Sequence, residues 1–138
     1  MAENIVVAID PGREKCGVAV VHKEQGALFK TIIATADLVS AVTGLVTTYK
    51  TATLVIGDRT TSLIAQAELA NVWADGQKVT IIPVNEHRST DEARKRYWRE
   101  HPPRGLKRLI PTTMQVPPCP VDDYVAVILA ERYFESTW

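Results

Sequence analysis

The spacing of apolar residues changes along the chain and predicts an alternation of strands and helices. Three short apolar runs at residues 4–9, 16–22 and 28–34 are joined by connections too short for crossovers, which predicts an antiparallel meander. Over residues 36–49 the apolar residues recur at helical spacing and form one stripe. Residues 54–57 form a continuous apolar run, which is typical of a central parallel strand.

The second half of the chain continues with helices and one more strand. A helix is predicted over residues 62–74 and a strand over residues 79–84. Ser89 and Glu92 have the spacing of a capping box, so a further helix is expected to begin there and to extend to about residue 99. Residues 101–121 contain six of the eight prolines, which predicts a long irregular loop.

These elements predict an α/β fold. After the proline-rich loop a final helix is expected over residues 122–135. The element order predicts a five-stranded mixed sheet with helices on both faces. The length of 138 residues and the absence of a linker-like stretch predict a single domain spanning residues 1–138.

The overall composition is that of a soluble globular protein. Hydrophobic residues make up 46% of the chain, and 16 basic residues balance 16 acidic ones. No apolar stretch is long enough to cross a bilayer, and the N-terminus does not resemble a signal peptide. We therefore expect a cytoplasmic protein without a membrane partner.

The charge is unevenly distributed even though it sums to zero. Residues 87–108 contain eight basic and three acidic residues, a net charge of +5 that the remainder of the chain balances. Such a segment predicts contact with nucleic-acid phosphates, although a solvated helix face would have the same composition. Tyr97 and Trp98 lie among the basic residues, where they could stack on bases or pack on the core.

Asp10 is the strongest candidate for a functional residue. It ends the first apolar run and opens the turn Asp10-Pro11-Gly12, and Gly17 allows the return strand to start close by. A carboxylate at the tip of a buried strand is costly unless a metal, a proton or hydrogen bonds compensate it. The alternative is that Asp10 only caps the turn through its own backbone.

The motifs and their order resemble one known family. The first motif is Asp10-Pro11-Gly12 with residues 17–20, and the others lie at residues 54–57, 85–90 and 122–133. Together they resemble the YqgF/RuvX family of the ribonuclease H-like superfamily, which is assigned to Holliday junction resolution and to precursor-16S rRNA maturation. The third motif usually reads Asp-Glu-Arg, whereas this chain has Asn85-Glu86-His87 and retains only the Glu.

The resemblance implies a metal-dependent nuclease site with three carboxylates. Asp10, Glu86 and Asp122 occupy the positions of the family's catalytic acids, and they are the expected ligands of Mg²⁺ or Mn²⁺. Asp123 and Asp58 are lower-ranked candidates for the metal site. Helix capping is the alternative for both Asp122 and Asp123, and an exposed, solvated side chain is the alternative for Glu86.

Helix geometry separates the two acids of the last motif. Asp122 shares one helix face with the apolar residues Val125, Ala126 and Leu129, so it should point towards the sheet. Asp123 lies one position round the helix. Asp58 follows the fourth strand, which in a ribonuclease H-like sheet would lie beside the first, and this would bring Asp58 near Asp10.

Eight basic residues are the expected contacts to nucleic acid: Lys15, Arg88, Arg94, Lys95, Arg99, Arg104, Lys107 and Arg108. The function expected from the resemblance is a metal-dependent endonuclease on structured nucleic acid, in precursor-16S rRNA processing. A resolvase of four-way DNA junctions and a non-catalytic binding module with a vestigial site are the alternatives. We expect a monomer or a homodimer, because no residue pattern identifies a self-complementary interface.

Overall fold

The apolar runs form a mixed sheet covered by helices in the computed structural model, which describes residues 4–59, 62–74 and 76–136. Eleven helices and strands are described: β1 (Ile5–Asp10), β2 (Lys15–His22), β3 (Gly26–Ala34), α1 (Leu38–Tyr49), β4 (Thr53–Gly57), α2 (Ser62–Leu69), β5 (Trp73–Ala74), β6 (Gln77–Lys78), β7 (Thr80–Val84), α3 (Ser89–Glu100) and α4 (Asp122–Ser136).

The main sheet has five strands in the order β3-β2-β1-β4-β7. Strands β1, β2 and β3 form the antiparallel meander, while β4 pairs parallel to β1 and β7 pairs parallel to β4. The predicted five-stranded mixed sheet is therefore confirmed. Because β1, β4 and β7 run in the same direction, their carboxyl ends meet at one edge of the sheet, where α/β proteins commonly bind ligands.

The central strands β1, β2 and β4 are buried on both faces of the sheet, as their continuous apolar sequences require. In β1, Val6 and Ala8 face the layer that contains α3 and α4, whereas Val7 and Ile9 face the layer of α1 and α2. Each of these four side chains is fully buried. The prediction of helices on both faces is confirmed, and the two apolar layers fix the orientation of the strand that carries Asp10.

Helix α4 lies close to the centre of the sheet and positions its own N-terminus beside Asp10. Its residues Val125, Ala126 and Leu129 are buried together, as the helical spacing predicts. Gly17 of β2 is the register partner of Asp10, and a Cβ at Gly17 would collide with the backbone carbonyl of Asp122. The close approach of β2 and α4 therefore requires glycine at this position.

The predicted helix over residues 62–74 is wrong in its second half. Helix α2 ends at Leu69, and Trp73 and Ala74 of β5 pair instead with β6 in a two-stranded hairpin. The turn includes Gly76 at φ +77°, a conformation that glycine adopts readily. Val72 and Ala74 bury their side chains in the same layer as α1. An extended chain places residues two apart on one face, whereas a helix turns them to different faces.

The predicted capping box at Ser89 is also wrong. The residue before α3 is Arg88 in a left-handed conformation, and the Ser89 hydroxyl has no hydrogen-bond partner among the described residues. The carboxylate of Glu92 forms an ion pair with Arg132 of α4 at 2.8 Å. A contact between helices has therefore replaced the local capping interaction.

The proline-rich segment between α3 and α4 contains two short 3₁₀ turns, Gly105–Leu109 and Thr112–Met114. The expected absence of a regular α-helix there is confirmed. None of the helices in the described part of the chain is long and apolar enough to span a membrane.

Two glycine substitutions test the packing of α4 on β2. We expect Gly17→Ala to lower the free energy of unfolding by about 1–3 kcal/mol, because the new methyl group collides with the Asp122 carbonyl. Gly44→Ala is the matched control, since its Cβ would lie in open space on α1, and it should stabilise the protein by about 0.5–1 kcal/mol. Urea denaturation of both variants provides the comparison. Equal effects on the two would contradict the close approach.

Candidate carboxylate site at the sheet edge

The carboxyl ends of three parallel strands bring the candidate acids to one edge. Asp10 is the last residue of β1, Asp58 follows β4, and Glu86 lies two residues beyond β7. Asp122 begins α4 next to Gly17, the register partner of Asp10. The four acids are far apart in sequence, and the sheet topology brings them to the same end of the molecule.

Asp10 and Glu86 form the centre of this site. Burial, a hydrogen bond with Glu86, and the negative charges of Glu86 and Asp122 together raise the pKa of Asp10 to about 8, against a smaller opposing effect of Arg59. Glu86 is only 3% exposed. When both carboxylates are ionised, neither has a hydrogen to donate, and the two Glu86 oxygens accept no hydrogen bond from any described residue. The pair is therefore stabilised by a proton or a cation.

The backbone around Glu86 holds its carboxylate in place. The side chain of Asp58 accepts a hydrogen bond from the Glu86 amide at 3.3 Å, and the Ser89 amide donates to the Glu86 carbonyl at 2.9 Å. A Cβ at Gly57 would collide with the Glu86 carboxylate, so glycine at the end of β4 provides its space. Glu86 is thus a buried, positioned side chain rather than the solvated turn residue that its sequence position allowed.

The altered third motif keeps its turn geometry. The Asn85 side-chain oxygen accepts a hydrogen bond from the His87 amide at 2.7 Å. An aspartate could accept the same bond, so the change from Asp to Asn preserves the local turn while removing a charge. The difference from the usual motif therefore leaves the placement of Glu86 unaffected.

Arg132 of α4 is a positioning residue that the sequence analysis did not identify. Its guanidinium donates to the carbonyl oxygens of Asn85 and His87, each at 2.7 Å, and contacts the Glu92 carboxylate at 2.8 Å. The loop that carries Glu86 is thereby tied to the helix that carries Asp122. No local sequence signal predicts this contact, because its partners belong to a different element.

Arg59 is the second residue that the sequence analysis missed as part of the site. Its Nε lies 2.9 Å from a Glu86 oxygen, and its side chain is 60% exposed. Its ion-pair partner is Glu86 and not the adjacent residue Asp58. Its position could have indicated this role, because Arg59 follows β4, the strand that pairs with β1 and its Asp10.

Asp122 and Asp123 have different surroundings. Asp122 is half-buried, and its pKa is raised by burial and by the charge of Asp123, while Lys15 lowers it. Asp123 turns to β3, where it forms an ion pair with Lys30 at 3.2 Å. Lys15 and Asp122 are therefore neighbours at the site, and Asp123 is engaged elsewhere.

The structure brings Asp10, Glu86 and Asp122 within electrostatic reach of one another. It does not assemble a finished metal cage, because in residues 4–59, 62–74 and 76–136 no three His, Cys, Asp or Glu side chains are close enough to hold a metal ion. The roles of these acids as catalytic residues and metal ligands stay predictions.

The basic candidates all present their side chains to solvent. Exposed residues are Lys15, Arg88, Arg94, Lys95, Arg99, Arg104, Lys107 and Arg108. Arg96, in contrast, forms a two-pronged contact with Glu131 at 2.6 and 3.0 Å. Tyr97 is buried and packs against Tyr124, and Trp98 is partly buried against the same core cluster. Core packing is therefore confirmed for both aromatic residues, and base stacking by Trp98 stays a prediction.

Comparison with solved structures relates this sheet and its helices to a known fold. The chain is similar to Thermus thermophilus RuvC, with a TM-score of 0.53, 13% identity and coverage of 96% of this chain and 95% of that chain. The T. thermophilus RuvC in complex with a Holliday junction substrate gives a TM-score of 0.59 at 13% identity, covering 98% and 96% of the two chains.

The fowlpox virus Holliday junction resolvase matches with a TM-score of 0.53 and 13% identity over 97% of this chain and 99% of that chain. The fold is ribonuclease H-like. This confirms the fold that the motifs implied. No protein-family model matches the sequence, and neither does any curated protein, so the YqgF/RuvX resemblance stays a prediction.

The raised pKa of Asp10 makes stability depend on pH. The unfolded chain loses this proton near pH 4, whereas the folded protein keeps it to about pH 8. Over this range the folded state binds more protons, so the free energy of unfolding decreases as pH rises, by at most about 1.4 kcal/mol per pH unit. Asp10→Asn should flatten this dependence in urea denaturation between pH 5 and pH 8 with EDTA.

The matched control for this titration is Asp37→Asn, which changes an exposed aspartate that is not one of the candidate acids. Its pH dependence should follow that of the wild type. Parallel curves for the wild type and Asp10→Asn would show that Asp10 does not retain a proton on folding.

Removal of the Arg59 cation tests the ion pair. Arg59→Gln should lower the free energy of unfolding, because the Glu86 carboxylate stays buried without its cation. We expect a loss of about 1–3 kcal/mol, which lies between the values for exposed and for buried ion pairs. The loss should be larger at pH 8 than at pH 5, since Asp10 is then also ionised. Arg13→Gln, at an exposed position, is the control, and an equal effect of both substitutions would contradict the pairing.

Proposed function

We propose that this protein is a metal-dependent nuclease that hydrolyses phosphodiester bonds. The observation that carries the proposal is the buried Asp10–Glu86 pair at the carboxyl edge of a ribonuclease H-like sheet, with Asp122 beside it. A structural pair would be expected to have its oxygens satisfied by hydrogen bonds. When Asp10 is ionised, neither Glu86 oxygen accepts one from the described residues, because the Arg59 Nε at 2.9 Å forms an ion pair without hydrogen-bond geometry.

The chemistry of these side chains suits a hard divalent cation, although the three carboxylates would have to move closer together to hold it. Carboxylate oxygens are the ligands that Mg²⁺ and Mn²⁺ prefer, and the raised pKa of Asp10 reflects burial together with the negative charges of Glu86 and Asp122. Asp10 and Glu86 would hold the ion, with Asp122 as the third carboxylate. When bound, the metal supplies charge stabilisation for the phosphate and lowers the pKa of a water molecule.

The protein's own residues complete the proposed reaction site. Arg59 and Lys15 carry positive charges beside the acids, where they would bind non-bridging oxygens of the scissile phosphate. Arg132 and Asp58 hold the Glu86 loop in place, so the carboxylate does not have to be ordered when substrate binds. Asp58 is therefore a positioning residue in this proposal, and Asp123 lies outside the reaction centre.

The proposed substrate is a precursor-16S rRNA, which follows from the resemblance to the YqgF/RuvX family. In this proposal the protein acts in the cytoplasm as a monomer or homodimer. A four-way DNA junction is the second candidate, and a specific observation favours it: one of the similar structures is RuvC with a Holliday junction substrate. A binding module with a vestigial site is less well supported, because the altered third motif still positions Glu86.

Cleavage of two labelled substrates tests the proposal. A precursor-16S rRNA 5′ segment and a four-way DNA junction would each be incubated with Mg²⁺, Mn²⁺ or EDTA. We expect metal-dependent cutting by the wild type and a loss of about a thousandfold or more in Asp10→Asn, because it removes one member of a catalytic unit. Asp37→Asn provides the matched control and should cut as the wild type does.

The outcome also chooses between the candidate functions. Cutting of one substrate in preference to the other identifies the RNA or the DNA role. Binding without cutting under any metal would support the non-catalytic module instead. Cutting by Asp10→Asn at the wild-type rate would exclude the carboxylate site.

A further inference from the structure

Three cavities that share lining residues lie along helix α3. The middle one has a volume of about 270 Å³ and lies between α3 and the second 3₁₀ turn. The side chains that matter for its chemistry are Arg88, Arg94, Lys95, Trp98 and Gln115. We call this cavity and the two that adjoin it the α3 groove.

Each of the three cavities shares lining residues with the others. A cavity of about 400 Å³ also contacts Arg94 and ends at Asp122, so one end of the groove opens at the acidic site. A cavity of about 500 Å³ also contacts Trp98 and Gln115 and extends to Arg104 and Lys107. The groove therefore leads from the basic end of the proline-rich segment to the N-terminus of α4.

The charges of the groove suit a polyanion. Five basic residues line it. Apart from Asp122 at the carboxylate end, its acidic lining residues are Asp91 and Glu100. The basic residues are Arg88, Arg94, Lys95, Arg104 and Lys107. In the part of the chain that the structure describes, none of these five cations forms an ion pair, in contrast to Arg96 and Arg132. Unpaired cations along one track are available to phosphate groups.

Trp98 supplies an aromatic surface at the middle of the track. It lines both the middle and the outer cavity, while part of its side chain packs against the core and its indole Nε1 is buried without a hydrogen-bond partner among the described residues. Pro102 and Pro118 add further apolar surface to the outer cavity. Aromatic side chains beside a basic groove are the elements that bind unpaired bases and their backbone.

We propose that the α3 groove binds an unpaired strand of nucleic acid and directs it to the carboxylate site. The inference rests on the proposed nuclease function and assigns its substrate a single-stranded extension. Bases inside a duplex have their faces covered by neighbouring pairs and cannot stack on Trp98. Residues 89–100 of α3 span about 16 Å at ~1.5 Å per residue, which matches about four or five stacked nucleotides.

Binding in EDTA tests the groove separately from catalysis. The wild-type protein would be titrated with fluorescein-labelled twelve-residue oligouridylate and oligothymidylate and with a blunt twelve-base-pair RNA duplex. We expect tighter binding of the single strands, with quenching of tryptophan fluorescence. The two single-stranded probes distinguish RNA from DNA, because only the RNA carries 2′-hydroxyl groups.

Two variants place the strand in the groove. Trp98→Leu should weaken single-strand binding by about 5- to 100-fold and remove most of the quenching. Trp73→Leu changes an exposed tryptophan on the β5–β6 hairpin and should retain both. The double variant Arg94→Gln/Lys95→Gln should reduce the slope of log K against log salt concentration by about 1.4, whereas Lys78→Gln should leave the slope unchanged.

The results separate this proposal from the proposed function. Absence of cutting with Mg²⁺ or Mn²⁺ would count against the nuclease but would leave the binding measurements valid. Equal affinity for duplex and single strands, or wild-type binding by both the Trp98 variant and the double variant, would overturn the groove assignment. Because Arg94 and Lys95 are exposed, the double variant remains informative even if Trp98→Leu unfolds.

Discussion

The rest of the site depends on the electrostatic cost of placing Asp10 against Glu86. Two carboxylates that share a hydrogen bond cannot both stay ionised without compensation, and burial increases the free-energy cost of the charges. The fold tolerates the pair because surrounding contacts hold it: Gly57 leaves space for Glu86, Asp58 binds its amide, and Arg59 provides one positive charge. A buried pair of this kind reduces stability at high pH, a cost that proteins commonly accept at functional sites.

The packing of α4 connects this local interaction to the whole molecule. The helix buries its apolar face against the sheet, approaches β2 at Gly17, and holds the Glu86 loop through Arg132. One rigid element therefore positions the third acid and restrains the second. The α3 groove uses the same arrangement, because it ends at the N-terminus of α4, where Asp122 lies. In the proposed function, binding of the strand and positioning of the metal ligands depend on a common framework.

Sequence reasoning succeeded where the signal was local and periodic. Strands β1 and β2 and the Asp10 turn followed from short apolar runs and turn residues, and the burial of α4 followed from its helical stripe. It failed where a tertiary contact competed with a local preference. Glu92 had the spacing of a capping residue but pairs with Arg132, and residues 73–74 continue a plausible helix but form a hairpin strand that buries Ala74.

The sequence by itself determined the α/β element order, the five-stranded sheet, and the candidacy of Asp10, Glu86 and Asp122. The element order and the sheet follow from residue spacing along the chain, whereas the choice of Glu86 and Asp122 rests on the family resemblance of the motifs. Only the tertiary structure decided that Glu86 is buried against Asp10, that Arg59 is its ion-pair partner, and that Asp123 turns to Lys30. Burial and ion pairing join residues from separate elements, so they are set by how the strands and helices pack.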